Sequence, residues 1–481
     1  MYNKKLSISN LREYIEEYVS SVASSKELRA KYFSNPEKDF TRNRKLPFLS
    51  LVMYMLSRST GTLDHTLMDF FGYGGERPGR AALVKAMSKV NTSFWKDLFS
   101  NITAAMIGSM SNRGEATYKG YRLLAIDGTD LALPEVDDEC HTSEMVSHGQ
   151  VSAYYSLHIN CLYDILLDSI VDAVIQKGDG QDELDACLEM VDRNLLERMI
   201  LICDRGYPNY NIIAHTIRNG QYFLFRSNNV DTSIGGYWWG KLSGGRKTGS
   251  INVRIRITRA CTNAVKASSV YHPIPKNTRF DFLPDKSPFK QGRKGTTLED
   301  IPEGYYHELS FRVVRVRIGN KGDENEYETL VTNLPENEFS EEELKCLYHL
   351  RWSQETSYRE LKHDEGLMYL HSKKTRSIIA EVYLAMIMHN VTAFASLLAF
   401  LRLKRRNNGH SIKGRDLDMY YVNHSNAAKA LRLFLREPRS KPSPERLMEE
   451  LVRFLVAIKA GRSFPRILRL RGFVGYSYRA S

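Results

Sequence analysis

Cysteine is scarce in this chain: there are six in 481 residues (Cys140, Cys161, Cys187, Cys203, Cys261 and Cys346), and no two form a CxxC pair. Such spacing supplies neither a zinc site nor a disulfide framework, and it suits a reducing compartment. The opening stretch "MYNKKLSISNLREYIEE" has no apolar core of the kind a secretory signal requires, so a cytoplasmic site of action is expected. Internal repeats and long low-complexity tracts are also missing. Long apolar runs are nearly absent. Val382 to Leu401 is apolar enough for a membrane helix to be considered, but it contains His389, Asn390, Thr392 and Ser396 and runs into "LRLKRR". It reads as a buried helix.

Acidic residues are in short supply at one end only. Lys and Arg number 68 against 56 Asp and Glu, a formal net charge of +12. Residues 401–481 hold 19 basic against 6 acidic residues, so the first 400 are close to neutral. A basic tail on a neutral body suggests a polyanionic partner, nucleic acid first. The remaining composition, 42% hydrophobic and 26% charged, is that of an ordinary globular protein. At this length, about two to four domains are expected.

Five regions follow from the pattern along the chain. Residues 1–119 read as a helical domain, in which "TLDHTLMDFFGYGGERPGRAALVKAMSKV" has the outline of a helix-turn-helix and "KYFSNPEKDFTRNRK" supplies cations and aromatics. Residues 120–227 alternate strand and helix signals, with "YRLLAIDG", a strand pair turning near Asp164, "RMILICDRGYPNYN" and "YFLFRS". Residues 228–328 read as a β-rich insertion containing "GGYWWGKLSGG" and the alternating "SINVRIRIT". Residues 329–400 return to the α/β pattern, and 401–481 form a basic helical region.

Two buried-strand runs, "LLAI" and "MILIC", each end in an aspartate, Asp127 and Asp204. Sites in α/β sheets gather beyond strand ends, although a lone aspartate there also serves as a turn residue. A third carboxylate, Glu355, stands in "YHLRWSQETSYRELK" at 348–362. On one helix advancing about 100° per residue, Tyr348, Arg351, Glu355 and Lys362 would lie within about 60° of one another. Carboxylates brought together repel unless a cation compensates them. Hard divalent ions such as Mg²⁺ accept their oxygens, and two ions about 3.5–4 Å apart assist in-line displacement at phosphorus. Phosphodiester chemistry on nucleic acid accounts for these features together.

Asp127 in "AIDGTDLALP", Asp204 in "CDRGYPN" and Glu355 resemble the DDE triad of insertion-sequence transposases. Tyr348-x2-Arg351-x3-Glu355-x6-Lys362 is similar to the Tyr-Arg-Glu-Lys signature of the IS-four family, with "LVTNLP" and Arg351-Trp352 matching beside it. The resemblance implies an α/β fold with an RNase H-like catalytic core, interrupted by a β-rich insertion and flanked by a helical DNA-binding domain. It implies cut-and-paste transposition, in known members through a hairpin on the transposon DNA, with 3′-hydroxyls then joined to target DNA. It further implies two Mg²⁺ ions (Mn²⁺ substituting) on Asp127, Asp204 and Glu355, terminal inverted repeats and target DNA as partners, and a homodimer in a prokaryotic, nucleoid-associated synaptic complex. Tyr348, Arg351 and Lys362 are expected to hold DNA phosphates. The resemblance suggests that Trp238 or Trp239 stacks on a flipped base, with a buried strand tryptophan the equal alternative; Trp352, for which core packing competes with DNA contact, and Arg226 are further DNA-contact candidates. Two alternatives stay open: a DNA-binding protein that has lost catalysis, and a nuclease without strand transfer.

Overall fold

The computed structural model describes residues 5–458 apart from 43, 60, 76, 111–115, 134–141, 148–149, 179, 195, 197, 286–297, 299–300, 320–325, 408–410, 413–414, 437–442 and 454. Six helices lead, α1 (Leu11–Ser24), α2 (Lys26–Tyr32), α3 (Phe48–Ser57), α4 (Leu63–Phe71), α5 (Arg80–Met87) and α6 (Thr92–Met110). Then come β1 (Arg122–Ala132), β2 (Thr142–Ser147), β3 (Gln150–Asp164), β4 (Ser169–Lys177), α7 (Glu183–Arg193), β5 (Met199–Cys203), α8 (Tyr210–Arg218) and β6 (Tyr222–Ser227). The middle of the chain gives α9 (Ile234–Leu242), β7 (Gly249–Thr258), α10 (Asn263–Ala267), β8 (Tyr271–Pro273), β9 (Tyr306–Arg317) and β10 (Tyr327–Thr332). Next are α11 (Glu341–His349), α12 (Trp352–His363), α13 (Thr375–Arg406), β11 (Ser411–Ile412), β12 (Arg415–Asp416), β13 (Tyr420–Val422), α14 (His424–Arg436), α15 (Pro444–Leu451) and β14 (Leu455–Ala457).

The chain divides into two compact units, one of Met1–Ala116, Gly128–Gln181 and Gln354–Ser481, the other of Thr117–Asp127 and Asp182–Ser353. The five consecutive domains expected from the sequence are thus regrouped. The N-terminal helices and the basic C-terminal helices share one core, because each has an apolar face that the other covers.

The second unit is built on a mixed sheet in the order β1-β5-β6-β10-β9-β7-β8. Its centre is parallel: Arg122–Ile126 of β1 pairs with Met199–Cys203 of β5, which pairs in turn with β6. All five residues of β5 are buried, as an apolar run enclosed on both faces of a parallel sheet should be. The insertion extends this sheet, with β9 antiparallel to β10 and β7 antiparallel to β9. One segment departs from the strand reading. "IGGYWWGKL" forms α9, capped by Ser233, whose Oγ accepts the Gly236 N–H at 3.2 Å. Gly235 packs so closely that a Cβ there would sit 2.6 Å from Ser227 Cβ and 2.7 Å from Thr329 Cγ2.

The first unit is held by α13. The helix is long and apolar enough to cross a membrane, yet 78% of its most apolar window is buried inside the protein, as the buried-helix reading expected. Asn390, at its centre, accepts the Ile170 N–H (2.8 Å) and donates to the Ile170 carbonyl (2.7 Å) and Thr103 Oγ1 (2.9 Å), tying α13 to β4 and α6. The β3–β4 hairpin turns between Asp164 and Ser169, close to the expected position. Arg58 and Glu381 form a buried ion pair at 2.7 Å, and Glu381 also accepts the backbone N–H groups of His371 and Ser372.

Candidate active site and nucleic-acid interface

Ile126 and Cys203 are register partners on neighbouring parallel strands, so the next residues, Asp127 and Asp204, emerge side by side at the same end of the sheet. Both carboxylates are part-exposed, with side chains 31% and 36% accessible, while the strands behind them are fully buried. One guanidinium faces the two: Arg351 Nη1 is 3.8 Å from Asp127 Oδ2, and Nη2 is 3.7 Å from Asp204 Oδ2. Tyr348 donates its hydroxyl to Asp204 Oδ1 at 3.0 Å, and the Arg205 N–H donates to the same oxygen at 2.8 Å.

Burial alone would raise the Asp204 carboxyl. The Arg205 N–H, the Arg351 charge, the Tyr348 hydroxyl and the Arg226 charge outweigh it and hold the group below its ordinary value, ionised. The Tyr348 phenol is pushed up, by its own burial first and by Asp204 next, so it remains a donor.

The single stripe expected for Tyr348, Arg351, Glu355 and Lys362 is corrected by the fold. The helix breaks: α11 ends at His349, α12 begins at Trp352, and i→i+3 bonds such as Arg351 N–H to the Tyr348 carbonyl (3.1 Å) fill the turn between them. Tyr348 is 1% and Arg351 4% exposed. Within the second unit these two face the aspartates rather than open solvent. Lys362, half-buried in the first unit, donates from Nζ to Thr129 Oγ1 at 2.6 Å. Glu355 is exposed in the first turn of α12.

The tryptophans of the insertion take the buried alternative, on a helix rather than a strand. Trp238 and Trp239 are 1% and 3% exposed on α9, and Trp238 Nε1 donates to the Tyr210 hydroxyl at 3.0 Å, so their glycine-rich setting does not expose them. Trp352 is 63% exposed. Arg226, on β6, pairs with Glu328 Oε1 at 3.2 Å and approaches Asp204 Oδ1 at 3.9 Å. Glu328 was not singled out from the sequence. Its signal was a lone carboxylate in the apolar strand "YETLVT"; burial raises it, while Arg226 pulls the other way.

In the first unit a cavity of about 990 Å³ is walled by Lys38, Arg42, Arg44, Lys45, Arg77, Lys85 and Lys89, with Glu37 and Asp39 among them. Lys38, Arg42, Arg44 and Lys45 come from "KYFSNPEKDFTRNRK", Lys85 from α5, the second helix of the expected helix pair, and Arg77 and Lys89 from the residues on either side of α5. Lys89 pairs with Asp39 at 3.3 Å and lies 5.2 Å from the Phe40 ring centroid. A concave wall with seven cations against two carboxylates suits a phosphate backbone.

The basic C-terminal region is only partly free for such a role. Arg432 pairs with buried Glu365, and Arg436 Nε donates to the Ser57 carbonyl at 2.9 Å. Glu365, expected to be solvated beside Asp364, is instead buried. "RILRLR" at 466–471 lies outside the described residues.

No curated protein sequence matches the chain. Among solved structures, a piggyBac transposase synaptic complex with hairpin DNA is similar at TM-score 0.42 and 10% identity, over 95% of this chain and 85% of that one, a likeness too low to carry an argument. Residues 118–391, more than half of the chain and inclusive of both aspartates and Glu355, match the family described as Transposase DDE domain, and the chain belongs to that family.

Proposed function

We propose that this chain is the transposase of an insertion sequence, cutting DNA at terminal inverted repeats and joining the 3′-hydroxyl ends to a target. The carrying observation is the pair Asp127 and Asp204, ending adjacent parallel strands under one shared guanidinium, within a segment that matches the DDE domain. Glu355 is assigned as the third carboxylate from its spacing after Arg351, as the signature of the IS-four family has it. An RNase H-like core fits the parallel β1-β5-β6 arrangement with α7 before β5 and α8 between β5 and β6.

The donor set suits hard divalent ions: part-exposed carboxylate oxygens, at least one of them held ionised. Asp127, Asp204 and Glu355 would hold Mg²⁺, which supplies Lewis-acid stabilisation of charge on the phosphorus oxygens. Arg351 keeps the two aspartates from repelling one another, and Tyr348 fixes the orientation of Asp204. Exposed Trp352 is the candidate for stacking on a base displaced during a hairpin step. The basic groove of the first unit would hold DNA by its backbone, in a cytoplasmic, nucleoid-bound homodimer.

The test is incubation of purified protein with Mg²⁺ and DNA carrying its own element end, followed for nicked, hairpin and joined products. Asp127→Asn, Asp204→Asn and Glu355→Gln should each abolish cleavage while end binding persists, since the amides keep the shape and lose the charge. Near-normal cleavage by any of the three removes that residue from the triad. Cleavage without joining would instead favour a nuclease.

A further inference from the structure

Away from the aspartates, three helices of the first unit converge on a second cluster of ligating groups. Glu360 of α12, His389 of α13 and His424 of α14 each bring one donor atom within 4.8 Å of the others. The two imidazoles stack, with centroids 4.9 Å apart and planes at 29°. His424 Nδ1 lies 3.5 Å from Glu360 Oε2. That is close to the donor separation of about 3.3–3.4 Å set by a tetrahedral ion with ligands at about 2.0–2.1 Å.

Three further observations point to a ligand. First, the other nitrogen of His424, Nε2, is 3.1 Å from Glu365 Oε1, and the buried Glu365 is itself held by Arg432. A carboxylate behind a histidine is the usual support of a metal ligand, because it fixes the N–H outward and turns the other lone pair inward. Second, His389 is fully buried; its Nε2 lies 3.5 Å from Ser357 Oγ, and its Nδ1 has no hydrogen-bond partner among the described residues. A buried imidazole with one nitrogen uncommitted costs free energy. Third, Glu360 and His424 line a cavity of about 200 Å³ together with Asp168, leaving room for water at an open coordination position. Asp168 Oδ1 also lies 3.9 Å from His389 Nε2.

We infer that Glu360, His389 and His424 form a binding site for one late first-row divalent ion of the zinc class, separate from the Mg²⁺ site of the carboxylate triad. Two imidazoles and one carboxylate are borderline donors that suit zinc or cobalt, whereas Mg²⁺ prefers oxygen ligands throughout. The ion would link α12, α13 and α14, and α12 is the helix that carries Glu355. Without the ion, His424 Nδ1 and Nε2 lie 3.5 and 3.1 Å from the carboxylate oxygens of Glu360 and Glu365.

The experiment uses full-length protein stripped of metal and titrated with Zn²⁺ or Co²⁺ by calorimetry and visible absorption, with Mg²⁺ in excess. One equivalent per chain is expected to bind at micromolar concentration or tighter, with the strong visible bands of four-coordinate Co²⁺. Glu360→Gln and His424→Gln should weaken binding at least ten-fold, and Glu365→Gln about ten-fold through the lost support. Asp127→Asn/Asp204→Asn should leave it unchanged. His389 is so deeply buried that His389→Gln is informative only if circular dichroism shows it folded; the half-buried Glu360 provides the safer variant. Weak, six-coordinate Co²⁺ bands in the wild type, no stoichiometric binding, or full binding by Glu360→Gln and His424→Gln overturns the inference.

Discussion

Arg351 is the residue whose role the structure changes most. At 4% exposure, and within 4 Å of both aspartates, its guanidinium compensates carboxylate charge rather than offering itself to a passing phosphate. Arg351→Ala is therefore expected to cut cleavage by about 100-fold or more, as loss of a preorganised electrostatic partner does. The salt dependence of DNA binding should not change. A slope shallower by about one unit would restore the phosphate-contact reading. Arg351→Lys should not rescue cleavage, since one ammonium cannot face both carboxylates as a fork does.

Glu381 supplies a pH test at the same scale. Burial by itself would raise its carboxyl, but Arg58 and hydrogen bonds from the 371–372 segment hold it well below the usual carboxylate range. A depressed folded value contributes stability that is present above the unfolded value, about 4.3, and lost as pH falls through the folded one. Glu381→Gln should therefore destabilise the protein by about 3–5 kcal/mol at pH 7, because it leaves Arg58 buried and unpaired. The gap to wild type in urea unfolding should be flat above about pH 5 and narrow in acid. A gap that does not change with pH would mean that the Glu381 charge is not what stabilises.

Among the elements, α9 shows how packing overrides a local reading. Its glycines and tryptophans stood in a segment read as part of a β-rich insertion, yet they form a helix whose tryptophans are buried because Gly235 lets it lie against Ser227 and Thr329. Gly235→Ala places a methyl group 2.6 Å from Ser227 Cβ, an atom that no rotamer change moves, and should cost about 1–3 kcal/mol. The urea midpoint measures it, and an unchanged midpoint would show that α9 is free to move. The break between α11 and α12 carries the same lesson. The spacing of Tyr348, Arg351, Glu355 and Lys362 was legible, but the turn at 350–351 that sends Arg351 inward was not. Helical periodicity extrapolates through a tight turn without registering it.

For the whole molecule, helices α14 and α15 of the C-terminal region are part of the core rather than of an appended basic tail. Leu431, Leu435, Leu447 and Leu451 of α14 and α15 are buried in the cluster that contains α3, α6 and α13. Deleting 401–481 is accordingly expected to unfold the first unit, seen as aggregation or loss of the cooperative thermal transition. A soluble, cooperatively folding truncation would show instead that the region is dispensable and revive a purely electrostatic role. Those leucines were readable as an amphipathic pattern, but which distant helices they cover was not.

The sequence by itself determined the chemistry: two aspartates after buried strands, a glutamate at fixed spacing from an arginine, a reducing cysteine usage and an excess of cations. These are local facts, set by residue type and short-range periodicity, and a resemblance could rest on them. Only the tertiary structure decided that Ile126 and Cys203 are register partners, so that their aspartates stand together. It also decided that Arg351 and Tyr348 turn inward, that Glu328 meets Arg226, and that Glu360, His389 and His424 converge from three helices. Each of those contacts joins residues far apart in sequence or turned by a break in the helix. Their geometry depends on which apolar faces bury one another, and no window of neighbouring residues contains that information.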